Sequence, residues 1–436
     1  MKKTAKIFNA LAIIILVSTL AVCYAFLLNE TRTEAAASRD AREDAHGMNY
    51  VIDPETDQSY LIWTDEYLSG TSSDGSWTHN IYYQSIDINN PKIASNANKL
   101  TLISAPEAQE PASASFSKSG SLIVTFEDGN KAGKYTLAQR YAIYKSQLKD
   151  GIPTGKLTAV KKYNTKKTTI LMGGHSGHAS STDTKHVVFY SEGWINGGGV
   201  NGLGTGNDVR VCTISGSGKI LHQRKVAVGN KTRDWWPVTA SSSDRSLLVW
   251  QRYVKKHTYS LLCFAVYDPD TNKIISKHIK TNLHMKYYSY NAVYLKNIDR
   301  YLISFTQSDG SGTLLLVDQN GNIAAVKKGL PSFVREASPA VYSDSSDTAI
   351  LCFAQGDRSI CYYRVTKNSI THTASDSSDS QWSYRGTSGF FDSDISKVSF
   401  ATLGRHNAEL YVYSVPDQAK ALSSKDRAYC STRTQQ

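Results

Sequence analysis

Pro237-Val-Thr-Ala240, followed by Ser246-Leu-Leu-Val-Trp250, is the stretch on which the fold turns. Small and polar residues lead into a short strand, a tight turn follows, and a strongly apolar strand comes next. The same unit returns as Pro111-Ala-Ser-Ala-Ser-Phe116 with Ser121-Leu-Ile-Val-Thr-Phe126, and as Ser338-Pro-Ala-Val-Tyr342 with Thr348-Ala-Ile-Leu-Cys352. A unit that recurs at a steady interval is the signature of a repeat architecture and outranks any element-by-element reading.

Working outward, the apolar second strands are Tyr60–Trp63, Leu122–Phe126, His186–Tyr190, Leu247–Trp250, Tyr301–Phe305, Ala349–Phe353 and Lys397–Phe400. They are spaced by roughly 45 to 65 residues, as four-stranded propeller blades require. Third strands follow at Asn80–Gln84, Arg140–Lys145, Val209–Ile214, Leu261–Tyr267, Thr313–Val317, Ser359–Val365 and Leu410–Ser414, with fourth strands legible at Lys219–Lys225 and Lys273–Lys277. Second strands without polar–apolar alternation fit a sheet packed on both faces. The expectation is an all-β chain, a seven-bladed β-propeller over residues 49–415 with a tail over 416–436; a pair of sandwiches accommodates seven similar units poorly. Composition agrees, with 26 Tyr and 29 Gly against 4 Met.

The N-terminus reads as an export signal over residues 1–25. Lys2, Lys3 and Lys6 precede the apolar run Ala10–Val22, and Cys23-Tyr24-Ala25 places small side chains for cleavage after Ala25. A retained anchor is the competing reading, since Phe26, Leu27 and Leu28 prolong the run. Residues 26–48 form a polar leader, and the expected destination is secretion without a membrane anchor. The net charge is +11, or +8 once Lys2, Lys3 and Lys6 are removed with the signal. With no basic arm, this favours an acidic polysaccharide over nucleic acid, although a merely solvated basic surface explains the charge equally well. A monomer is expected.

In a propeller the first strand of each blade lines the axial channel. Blade-to-blade junctions and second-to-third loops share one face. That face receives Arg233-Asp234-Trp235-Trp236, Tyr287-Tyr288-Ser289-Tyr290, Arg335-Glu336, Glu192-Gly193-Trp194 and Gln251-Arg252-Tyr253. Aromatic faces suit sugar rings and arginines suit carboxylates or sulfates. The expected substrate contacts are Trp194, Asn196, Arg233, Trp235, Tyr287, Tyr288 and Arg335. Against this, Trp235, Trp236 and Tyr290 can serve only to pack blades, and Arg252 can pair with Glu192 or Asp234.

Several motifs need weighing. Gly197–Gly202 satisfies GxGxxG, but a strand rather than a helix follows, so no dinucleotide site is expected. Ser73-Asp74-Gly75-Ser76-Trp77 is read as a turn. Cys352 and Cys361 flank a Gly356-Asp357 turn signal and are read as facing each other across a hairpin, as a strained disulfide or as two thiols. Cys212 and Cys263 occupy equivalent third-strand positions, with His222 and His278 on the following strands. The four are a candidate structural zinc site, with two buried cysteines as the plainer alternative. No cofactor is expected for catalysis.

Gly173-Gly174-His175-Ser176-Gly177-His178-Ala179-Ser180, then Ser191-Glu192-Gly193-Trp194 and the Gly-rich loop, sit within these repeats behind an export signal. In this the chain resembles the β-propeller ulvan lyases, which cut a sulfated, uronate-containing algal polysaccharide by β-elimination. The specific likeness covers about Gly173 to Asp208. It implies His175 or His178 as the junction histidine, Tyr253 as acid/base and Arg252 as the group that neutralises the uronate. It also implies that a structural zinc held by Cys and His occurs in some members. The chain departs where a second histidine is usual, reading Trp194-Ile195-Asn196-Gly197-Gly198 instead. Either His175 and His178 share both roles or another group, such as Asn196, takes the second. A non-catalytic glycan-binding propeller and a glycoside hydrolase using Asp65, Glu66, Glu192 or Asp234 remain alternatives.

Overall fold

The computed structural model describes residues 48–64, 80–91, 94, 98–104, 109–128, 138–146, 148–149, 152–153, 161–162, 177–192, 208–228, 232–254, 257–334, 337–343, 347–356, 359–377, 386–393, 397–403 and 410–415. The expected export signal, nearly all of the expected leader, the tail and the Gly-rich loop lie outside them. So do His175, Trp194, Asn196 and Arg335.

Apart from a short hairpin, Leu148–Lys149 with Ile152–Pro153, the described strands fall into seven antiparallel units met in chain order. The first four run Asn49–Ile52, Ser59–Thr64, Ile81–Ile86, Leu100–Ile103; Gln109–Phe116, Ser121–Asp128, Ala138–Lys145, Lys161–Lys162; Gly177–Ser181, Lys185–Glu192, Asp208–Ser215, Ile220–Ala227; and Asp234–Ser241, Ser246–Tyr253, Ser260–Asp268, Lys273–His278. The last three are His284–Leu295, Arg300–Gln307, Gly312–Val317, Ile323–Leu330; Ala340–Ser343, Thr348–Ala354, Ser359–Thr366, Ser369–Ser377; and Ser388–Phe391, Val398–Leu403, Leu410–Val415. In each unit successive strands are neighbours, as the all-β propeller reading requires. The repeat predicts every second and third strand, while four fourth strands were too weakly patterned to read.

Each unit packs on the next through side chains from both faces of its sheet, which is why Leu122–Phe126, apolar but for Thr125, and the wholly apolar Leu247–Trp250 are buried. The seventh unit meets the first. Tyr50 and Phe390 stack with centroids 4.8 Å apart, Ser388 Oγ donates to the Met48 carbonyl, and Leu61, Trp63, Phe390 and Ala401 share one core. Near the axis the inner strands of units six and seven run so close that a Cβ on Gly389 would lie 2.4 Å from the Ala340 amide nitrogen. Here glycine is required by space.

Units four and five are fused more intimately. Leu261 pairs with His284 and Ser260 with Met285, so their strands form one eight-stranded sheet.

The register corrects one cysteine expectation. Cys352 lies opposite Tyr362, and Cys361 opposite Phe353. One residue of offset places successive side chains on opposite faces. Cys352 therefore packs with Phe391 and Phe400 of unit seven, and Cys361 with Phe353 and Leu316 toward unit five. The two sulfurs do not face each other.

Candidate functional site

The site grows from the start of the fourth unit's inner strand. Asp234 pairs with Arg252 and Trp235 with Gln251; the register then shifts before Val238 meets Val249. Pro237 sits in that irregularity, where its missing N–H breaks no ladder bond. Asp234 is fully buried. It accepts from Arg252 Nε at 2.8 Å, Arg252 Nη2 at 2.9 Å and Trp250 Nε1 at 2.7 Å. Burial works to lower the Arg252 pKa, but the Asp234 carboxylate prevails and the net shift is upward. A guanidinium held in this fork cannot turn to a ligand without stranding a buried carboxylate. Arg252 thus holds two strands together through Asp234, the pairing weighed against its ligand role from the sequence.

Trp236 and Tyr288 adopt left-handed backbone conformations, with φ of 57° and 63°. For bulky residues this is rare and must be enforced by surroundings. Tyr290 Oη donates to the Trp236 carbonyl, the Tyr288 amide donates to Gln251 Oε1 at 3.2 Å, and the Trp236 and Tyr288 rings lie 4.3 Å apart. Trp235, Trp236, Tyr288 and Tyr290 are all buried in the core between units four and five. Trp235 and Tyr288, expected as sugar contacts, are packing residues instead.

Tyr287 does reach the surface. Half-buried, it stacks on half-buried Tyr253 with centroids 6.5 Å apart and planes 15° from parallel. Close to the pair is Arg233, buried, with its carbonyl accepting from the Tyr253 amide at 2.9 Å and its guanidinium 3.9 Å from the Trp235 ring centroid. Burial pulls the Arg233 pKa down to about 10, against the upward pull of Tyr288, Tyr253 and Tyr287, so it remains a cation at neutral pH. A positive charge thus sits close enough to both stacked phenols to interact with them.

Beside them stand three residues that the sequence reading missed. His257 is exposed, and its ring lies 4.7 Å from that of Tyr259; Tyr259 in turn stacks on His284 at 4.3 Å and 14°. Tyr287 Oη donates to the His257 carbonyl at 3.1 Å. Nothing in their spacing marks them as a set. Only the pairing of Leu261 with His284 brings them together.

The inner strands of all units but the fourth line an axial cavity of about 380 Å³, to which Asn49, Ala114, His178, Asn291, Ser338 and Ser388 contribute. His178 Nδ1 accepts from the Thr239 amide at 3.2 Å, which assigns the proton to Nε2. Burial lowers its pKa to about 4, so it stays neutral. In that tautomer it is a hydrogen-bond donor; it could act as a base through Nε2 only after surrendering the Thr239 contact. Among the described residues no hydrogen bond or ring contact joins it to Tyr253 or Arg252. His186, also missed, is a fully buried clamp between units two and three, bonded to Ser121 Oγ at 2.8 Å and Ser181 Oγ at 2.7 Å.

The proposed zinc donors do not converge. Cys212 packs with Ile123 and Tyr141 of unit two, whereas Cys263 packs with Val187 and Phe189 of unit three. His222 lies across from Thr213, whose hydroxyl meets Tyr267 of unit four, and His278 stacks on Phe264 in the core toward unit five. Strand alternation turns Cys212 toward unit two and His278 toward unit five, so only His222 and Cys263 face the interface between units three and four. Burial raises both thiols to about 12, away from the thiolate a zinc ion needs. Among the described residues no three His, Cys, Asp or Glu side chains gather around one point. The donor set does not fit a closed tetrahedral site.

No protein-family model matches the chain, and no curated protein matches it in sequence. Solved structures do. The chain is similar to the BP39L lectin from Burkholderia pseudomallei at a TM-score of 0.52 and 10% identity, covering 85% of this chain and 96% of the lectin. It is also similar to an alpha-L-arabinanase of Penicillium chrysogenum complexed with arabinobiose (TM-score 0.41, 14% identity, 71% and 94% covered). A third is the sialidase of Trypanosoma rangeli (0.41, 7%, 74% and 58%). At such identities the likeness speaks to fold alone, and the fold is an all-β propeller.

Proposed function

We propose that this propeller binds an anionic polysaccharide on the face of its fourth and fifth units, with Tyr253 and Tyr287 as the sugar platform. The observation that carries the reading is the stacked, half-exposed tyrosine pair close to the buried Arg233 cation. Aromatic faces take the C–H face of a pyranose, and a cation close to them draws a carboxylate or sulfate. The net charge of +11 favours such a partner, and the likeness to a lectin lends the fold a precedent. The protein acts outside the cell as a monomer, where such polymers occur.

A catalytic reading of the same site, as a lyase of the ulvan type, is favoured by one specific feature: Arg233 lies among phenols. In β-elimination a base removes the C5 proton, the C4–O bond breaks, a C4–C5 double bond forms and an acid protonates the leaving oxygen. Tyr253 is the proton-transfer group in this reading, and Arg233, instead of Arg252, offsets the uronate charge. A hydrolase reading loses Asp234, which is committed to Arg252 and Trp250. Incubation with ulvan, heparin and polygalacturonate tests all of these, with retention and ultraviolet absorbance of unsaturated product as readouts. Retention without absorbance supports binding alone; absorbance that Tyr253→Phe abolishes supports the lyase. Retention by none of the three sinks both.

A further inference from the structure

We infer that the ring column His257–Tyr259–His284 is a second subsite on this face, so that the ligand is a stretch of polysaccharide several sugars long and not a single sugar. The inference rests on the proposed carbohydrate reading. The column is built on unusually firm ground: Ser260 and Leu261 of unit four pair directly with Met285 and His284 of unit five. The Leu262 amide donates to the Leu283 carbonyl at 2.9 Å, and the Ser308 amide to that of His284 at 3.1 Å. His284 stands on the paired strand itself, and Tyr259 immediately precedes Ser260, the first paired residue of its strand, so the pairing fixes where these two rings meet.

Tyr259 touches both other rings, stacked on His284 at 14° and tilted by 40° from His257, and so links the column. His257 ends the column and is exposed, offering a ring face and imidazole nitrogens to solvent. Its backbone is held twice, by its own amide on the Val254 carbonyl at 3.2 Å and by Tyr287 Oη on its carbonyl at 3.1 Å. Tyr287 also carries the first platform, so one side chain ties the two ring surfaces side by side. A stack of half-buried Tyr259 and His284 ending in exposed His257 suits a hydroxyl-rich ring with one apolar face. Exposed Lys280 and Lys286 bracket His284 in sequence and supply positive charge for acidic substituents. A pyranose covers about one aromatic side chain, so two adjoining platforms call for consecutive residues of a chain.

The test compares ulvan oligosaccharides of two and of six sugars by titration calorimetry. The six-sugar ligand is expected to bind the wild type about tenfold or more tighter than the two-sugar ligand. Tyr259→Ala and, independently, His257→Ala are expected to cut that advantage to about threefold or less while leaving two-sugar affinity within about twofold. Tyr287→Ala is expected to weaken both. Equal affinity for both lengths, or an advantage that survives in both column variants, overturns the second subsite and leaves the first standing. Failure of the wild type to bind either length overturns the carbohydrate reading itself.

Discussion

Replacing Asp234 by alanine removes the acceptor of three donors at once: Arg252 Nε, Arg252 Nη2 and Trp250 Nε1. Trp250 is fully buried and cannot turn its N–H to water, while the Arg252 side chain is only 16% exposed. Breaking one partner of a buried ion pair costs about 3–5 kcal/mol, because the other charge stays behind uncompensated. The entropy of unfolding is about 2.1 cal/mol/K per residue, or ~0.8 kcal/mol/K over roughly 370 residues, so a loss of ~4 kcal/mol lowers the melting midpoint by about 5 °C. Differential scanning fluorimetry reads this directly. The double variant Asp234→Ala/Arg252→Ala should recover part of the loss, since no buried cation is then stranded. A single variant within about 1 °C of wild type would refute the claim that Arg252 is structural, and would return it to the list of ligand-binding groups.

Two further outcomes follow. Burial lowers the pKa of His186 to about 3 and of His178 to about 4, so the unfolded chain takes up their protons first. Their stabilisation is complete above the ordinary value near 6.5 and falls as pH drops through the window down to about 4, at about 1.4 kcal/mol per pH unit for each histidine. The melting midpoint should therefore fall between pH 7 and 5, and His186→Gln should show about half the drop; a flat profile contradicts this. Gly389→Ala drives a Cβ onto the Ala340 amide between the inner strands of units six and seven. Backbone cannot yield there, and a loss of about 1–3 kcal/mol, seen as a lower denaturation midpoint, is expected; an unchanged midpoint would show that those strands have room to part.

The repeat made the architecture legible because buried second strands are nearly pure in apolar residues, so Ser246–Trp250 and its copies stand out from the turns around them. Fourth strands such as Ile323–Leu330, with Ile323 and Val326 exposed, lie outermost and carry no such pattern. The blade rule put Arg233, Tyr253 and Tyr287 on one face from sequence alone. It could not say which aromatics surface: an irregular register and the left-handed Tyr288 bury Trp235 and turn Tyr287 outward. Side-chain facing failed for a sharper reason. A strand shows alternate faces, so a one-residue error reverses every contact, and that undid both Cys352–Cys361 and the four zinc donors. His257, Tyr259 and His284 were invisible because a cross-blade strand pairing, unlike a repeat, leaves no mark in composition.

The central claim is that the tyrosine pair close to Arg233 is the sugar platform. Calorimetric titration of ulvan into wild type and into Tyr253→Ala/Tyr287→Ala tests it most directly, with melting midpoints confirming that both are folded. Truncating two central aromatic contacts should cost at least about 2 kcal/mol, a loss of roughly thirtyfold in affinity. Affinity unchanged in the double variant, with the wild type binding, would place the ligand elsewhere on the propeller and contradict the account.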